Sequence, residues 1–245
     1  MVVTRYTELS HQLGVTPSAG LETLRRFGLN TEASIQFIND YIRLAAQYPN
    51  VRQINLHFAP KRWHDDAQTV GRDGKYDLFI HSVREIAAFC ERNDLELVLE
   101  NNNSYWTDDI KDAPHEEVDW SQRNENFGMA PEDWHQAAID VDRHNVALCL
   151  DSSHVVTYAH RFPEDQREER VLAFLSRPDL IRHVHWNDNY LYDYRGRKDS
   201  HAALDHGTLP TEMHRRIKYL DATLLMEHFH GVDILEGELA FIDSL

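Results

Sequence analysis

The chain has 245 residues, is 42% hydrophobic, and sets 41 acidic side chains against 25 basic ones for a formal net charge of −16. It is long enough to bury a sizeable core, and a surface so acidic repels phosphate backbones and disfavours broad nucleic-acid contact. No stretch approaches the roughly 18 uninterrupted apolar residues of a membrane span. The opening MVVTRYTELSHQ lacks the basic-then-apolar order of a signal peptide, and Cys90 and Cys149 sit inside apolar runs as small core residues. A cytoplasmic location follows as the default expectation.

Taken in chain order, VVTRY (2–6) is a candidate first strand and INLHF (54–58) a clear short one. Apolar residues at Phe79, Val83, Ile86 or Ala87, and Cys90 predict a helix over 77–93. LELVLE (95–100) is a strand, and a helix is expected near 131–143 with Pro131 in its first turn. VALCLD (146–151), a helix near 163–175, IRHVHW (181–186), a helix near 211–220 and TLLMEHF (223–229) complete the series. Continuously apolar strands separated by helices mean parallel strands covered on both faces. No repeat or linker divides the chain, so 1–245 is expected to be a single domain. Two connections, 101–130 and 187–209, exceed the few residues usual in such units. Their aromatics Tyr105, Trp106, Tyr190 and Tyr192 either stack on a ligand or pack the loops down.

Four apolar runs end on a polar group: LELVLENNN on Glu100, VALCLDSSH on Asp151, IRHVHWNDN on His185 and TLLMEHF on Glu227. An open doubly wound sheet would spread these ends along a line, whereas a closed (β/α)8 barrel gathers them at one mouth. A shared site therefore favours the α/β barrel. Five clear strands are visible where a closed barrel has eight, so either the N-terminal strands are irregular or the chain begins part-way into the fold. Three carboxylates in one mouth would repel and recover their protons. A divalent cation relieves that, and two glutamates, an aspartate and an imidazole suit Mn2+, Mg2+ or Co2+, with Zn2+ also compatible. Such a cation holds a carbonyl beside its neighbouring hydroxyl and stabilises an enediolate, while an adjacent carboxylate moves the proton. That is isomerase or epimerase chemistry. Taken singly, Asp151 is more often a helix N-cap, Glu100 a turn anchor and His154 a solvated turn residue; of His183 and His185, on one strand face, one is expected in the core.

VALCLDSSH resembles the aspartate-x-x-histidine strand end of the xylose isomerase-like barrel superfamily. IRHVHWNDN is similar to its HVHxxDN strand, KDSHAALDHGTL to its D-x-H loop, and TLLMEHF to its final strand. The resemblance covers roughly 51–245 and implies a (β/α)8 TIM barrel with one divalent metal on Glu100, Asp151, His185 and Glu227. The two glutamates would be catalytic, shuttling the proton of a sugar or sugar phosphate. His57 and His154 would position substrate hydroxyls, and Arg197 would hold a phosphate or another oxygen in bidentate fashion. The loop departs from the family at DHG, where Asp205 and His206 precede the single Gly207. The expectation is thus a metal-dependent enzyme of carbohydrate metabolism acting on a small polyhydroxylated substrate.

The same superfamily contains the endonuclease IV group, which cuts DNA at abasic sites with zinc. His57, His154, Asp199 and His201 fall where its additional ligands stand, and His11 is the available upstream histidine. The acidic charge and the lack of a basic run beyond RGRK (195–198) argue against DNA, which leaves this reading second.

Overall fold

The computed structural model describes residues 2–3, 32–57, 65–120 and 127–245; His11 and the part of the first candidate strand beyond Val3 lie outside them. The chain forms two compact units, the first of residues 1–100, 124–128 and 133–148, the second of 101–123, 129–132 and 149–245. No helix among the described residues is long and apolar enough to cross a membrane.

In the first unit, β1 (Val2–Val3), β2 (Gln53–His57), β3 (Glu96–Glu100) and the opening half of β4 (Val146–Asp151) stand side by side in that order. β2 and β3 pair in parallel with His57 opposite Glu100. Helices α1 (Glu32–Ala45), α2 (Asp65–Glu91) and most of α3 (Pro131–Val141) belong to this unit. Phe79, Val83, Ile86, Ala87 and Cys90, the apolar positions of the expected helix, are all fully buried on α2. Cys90 is a free thiol that burial pushes up to about 12, so it packs as a small hydrophobe. Trp134 is fully buried on α3 and donates its indole N–H to Leu99 O at 3.0 Å, tying that helix to β3. α1 was not among the expected elements, although its buried Ile35, Ile38, Ile42 and Ala45 have helical spacing.

The second unit holds the closing half of β4, β5 (Ile181–His185) and β6 (Thr223–Leu225), with α4 (Ser152–Ala159), α5 (Glu164–Ala173), α6 (Thr211–Lys218) and α7 (Val232–Ser244). β6 pairs in parallel with β5, His185 opposite Leu225, and stops well short of the expected 223–229. The pairing is extended by Trp186 N–H on Leu225 O at 2.7 Å. Every residue of α4 is buried, so no apolar stripe marked it as a helix; periodicity reports a boundary between wet and dry faces, and this helix has no wet face.

At the end of α4 the fully buried His160 donates from Nε2 to Tyr190 O at 3.0 Å. Burial lowers its imidazole to about 4, against the opposing effect of that hydrogen bond. An unfolded histidine titrates near 6.5, so between those values the unfolded chain binds a proton that the folded chain refuses. Stability is therefore complete above that window and falls as pH drops through it, by at most on the order of 3 kcal/mol. Urea unfolding at about pH 7.5 and about pH 5 should show this loss, and His160→Gln should flatten it. An unchanged slope in the variant would remove His160 as its source.

Candidate metal centre

β4 ends on Asp151, whose two oxygens do different work. Oδ1 accepts from Ser153 N and His154 N at 2.8 and 3.1 Å, capping α4. Oδ2 is buried and accepts no hydrogen bond among the described residues. It faces His185 Nδ1 at 3.7 Å, His154 Nε2 at 3.8 Å and His201 Nε2 at 3.8 Å. Burial by itself would raise this carboxyl's pKa, but the neighbouring imidazoles of His154, His185 and His201 hold it below the usual carboxylate range. The N-cap reading and the ligand reading of Asp151 are compatible, one oxygen to each.

His185, fully buried at the end of β5, points Nδ1 at Glu227 Oε2, 3.0 Å away. Glu227 lies two residues beyond β6, on the chain that β6 delivers to the same place. Asp151, His185 and Glu227 each offer a ligand atom, all within 4.8 Å of one another. His183 is the inner histidine of the strand; its Nδ1 meets Thr223 Oγ1 and O at 2.6 and 3.1 Å.

A second cluster adjoins the first. Asp151, His154, Asp199 and His201 also place ligand atoms within 4.8 Å of one another. His154 Nδ1 lies 2.7 Å from Asn101 O, and a carbonyl only accepts, so Nδ1 carries a proton; Nε2 is turned to Asp199 Oδ2 at 3.1 Å. A backbone carbonyl fixing the far nitrogen in this way is the usual setting of a metal-binding histidine. His201 Nε2 is 2.8 Å from Asp199 Oδ1. Despite burial, His154 and His201 hold Asp199 well below the carboxylate range. Burial also works against a charged His201, yet the hydrogen bond to Asp199 and the charges of Asp151, Asp199 and Glu227 carry it up to about 9. His201 takes φ 41°, a left-handed conformation uncommon outside glycine and held here by its surroundings.

The polar residues after the strands extend the sheet with side chains in place of backbone. Asn101 accepts from Asp151 N at 2.6 Å and donates to Asp151 O at 3.0 Å. Ser152 Oγ donates to Asn187 O at 2.6 Å and accepts from Asn187 N at 2.8 Å. Asn189 Nδ2 reaches Ser153 O and Oγ, each at 3.1 Å, and Lys198 O at 3.0 Å. Asp188 gathers Asn189 N, Gly207 N and Leu209 N at 2.8, 3.1 and 3.1 Å. This explains the single Gly207: a Cβ there would come 2.2 Å from Asp188 Oδ1 and 2.5 Å from Asn189 O. The glycine leaves room for the Asp188 carboxylate. Gly207→Ala is expected to cost on the order of 2 kcal/mol in urea unfolding; a neutral outcome would mean the loop yields at no cost.

The remaining expected residues fall as follows. In the first unit, Glu100 is fully buried, with Oε2 at 2.9 Å from His57 Nε2 and accepting from Asn55 Nδ2 at 2.5 Å. His57 is thus a neighbour of Glu100. Arg197, expected to hold a phosphate, is buried with Nη1 donating to Lys111 O and Ala113 O at 2.8 and 2.7 Å. Its guanidinium lies 3.8 Å from the Trp106 ring centre and 4.0 Å from that of Tyr194. Through Nη1 and the two ring contacts, Arg197 anchors the long loop after β3. Trp106 likewise packs on Trp120 and donates to Thr157 O at 2.8 Å. Asn55 and Asn101 were not singled out from the sequence, and nothing in their local pattern marks them.

The sequence matches the xylose isomerase-like TIM barrel family over residues 10–245. The chain belongs to that family. Among solved structures this xylose isomerase-like chain is similar to a D-tagatose 3-epimerase-like protein (17% identity, TM-score 0.57, covering 98% of this chain and 82% of that one). It is also similar to the 3-keto-D-glucoside 4-epimerase from E. coli in its apo form (16%, TM-score 0.53, 86% and 70%). A third is a xylose isomerase-like TIM barrel protein from Mycobacterium smegmatis in complex with magnesium (17%, TM-score 0.54, 87% and 67%). At these identities the likeness is one of fold. No curated protein matches the sequence.

Proposed function

We propose that this chain is a divalent-metal-dependent isomerase or epimerase of a small polyhydroxylated carbonyl substrate, a free sugar or a sugar phosphate. The observation that carries the reading is the convergence of Asp151, His185 and Glu227, with the buried Asp151 Oδ2 accepting no hydrogen bond among the described residues. A buried carboxylate oxygen without a donor is costly unless a cation completes it, so these residues fit a divalent metal. Glu100 is the fourth proposed ligand. In the first unit Asn55 and His57 orient its carboxylate. The epimerases of similar fold support the substrate class.

When bound, the divalent cation supplies the positive charge that stabilises an enediolate. In the proposed reaction one of Glu100 and Glu227 takes the proton from the carbon beside the carbonyl. The other glutamate returns a proton to the opposite face of that carbon, or the first returns it to the neighbouring carbon. Asp151 and His185 hold position and charge and exchange no proton. His57, beside Glu100, and His154 meet substrate hydroxyls in this reading.

A second reading has its own observation: Asp151, His154, Asp199 and His201 form a further ligand group next to the first, as an endonuclease IV-like zinc enzyme would require. The net charge of −16 disfavours a DNA substrate. Elemental mass spectrometry on protein purified without added metal separates the two. About one Mn, Mg or Co per chain supports the first, and a ketose and aldose screen follows, in which chelator should abolish activity. More than one zinc per chain supports the second and makes abasic-site DNA the first substrate to try. No metal, and none taken up on titration, defeats both.

A further inference from the structure

Glu238 is the only buried side chain of α7, at 3% exposure, on a helix otherwise half-buried or exposed. A carboxylate is an expensive group with which to dock a helix, and its partners are specific. Oε1 accepts from Leu204 N at 2.9 Å and from His228 Nε2 at 2.5 Å. His228, nearly as buried, shares a second hydrogen bond with Asn187 Oδ1 at 2.8 Å. Each partner belongs to a segment that carries candidate ligands. His228 adjoins Glu227, Leu204 lies in the loop that carries Asp199 and His201, and Asn187 follows His185 and is clamped by Ser152, the residue after Asp151.

We propose that Glu238 is a positioning residue for the metal site, fixing through His228 the chain that carries Glu227 and, through Leu204 N, the loop opposite it. Glu238 touches no substrate and no metal; it acts by holding the Glu227 segment, which lies beyond the end of β6. The inference rests on the reading of Glu227 as a ligand.

The test is Mn2+ binding measured calorimetrically on the full chain, for wild type, Glu238→Ala, Glu238→Gln, Glu227→Ala and the Glu227→Ala/Glu238→Ala pair. Glu236→Ala, exposed on the same helix, is the control and should bind as wild type does. Glu238→Ala should weaken Mn2+ binding roughly tenfold or more, the range of outer-shell partners of metal ligands. Glu238→Gln, which keeps an acceptor for Leu204 N, should recover part of that loss, and it carries the test alone should the alanine variant not fold. In the Glu227→Ala background the further substitution should cost much less than it does in wild type. An equal loss with and without Glu227 would overturn the proposal and make Glu238 a general stability residue. Wild-type affinity in Glu238→Ala and Glu238→Gln would overturn it as well. If wild type itself binds no Mn2+, the reading of the metal centre fails first.

Discussion

Glu227→Gln is expected to keep its metal and lose turnover by about 10²–10⁴-fold, the range a positioned acid–base group supplies. Glutamine has the same shape and retains an amide oxygen toward the cation and toward His185, whose Nδ1 stands 3.0 Å from the native carboxylate. It cannot take up a proton at neutral pH. Deuterium uptake from heavy water into the substrate carbon, followed by NMR, reads proton transfer directly, and elemental analysis of the same sample reads the metal. A variant that still exchanged the carbon-bound proton at the wild-type rate would leave Glu227 as a ligand only. If both metal and exchange disappeared, its two proposed roles could not be separated by this substitution, and Glu100→Gln would be the informative counterpart.

Asp151 gives a second large effect, because its oxygens divide between fold and site. Asp151→Asn keeps an acceptor for Ser153 N and His154 N, and asparagine caps helices about as well as aspartate. Its unfolding free energy should stay within about 1 kcal/mol of wild type. The charge facing His185, His154 and His201 is gone, so metal affinity should fall by more than the roughly 100-fold upper range of outer-shell changes. Asp151→Ala should lose the metal to the same degree and a further 1 kcal/mol or so of stability with the cap. Calorimetric Mn2+ titration beside urea unfolding separates the two. Equal metal affinity in Asp151→Asn and wild type would remove Asp151 from the ligand set.

Several features were legible before any coordinates. The spacing of Phe79, Val83, Ile86 and Cys90 marked the buried face of α2, and all four are fully buried. Three of the polar strand ends, Asp151, His185 and Glu227, converge as their positions implied. Other elements escaped. α4 is buried on every side and β6 is only three residues long with all three exposed, so the apolar pattern of TLLMEHF overstated the strand while that of SSHVVTYA concealed a helix.

What the sequence by itself determined was therefore the alternation of strand and helix and the residues that stand at the strand ends, since periodicity and end position are properties of neighbours in the chain. Tertiary structure alone decided the partners. Arg197, with a guanidinium equally suited to a phosphate or to carbonyls, was claimed by Lys111 O and Ala113 O more than eighty positions away. Asp199 was brought to His154 and His201, Gly207 to Asp188, and Glu238 to His228. A polar side chain's hydrogen-bonding capacity is written in its own formula, but the group that satisfies it is chosen by whatever the folded chain carries within about 3 Å, and that distance has no counterpart along the sequence.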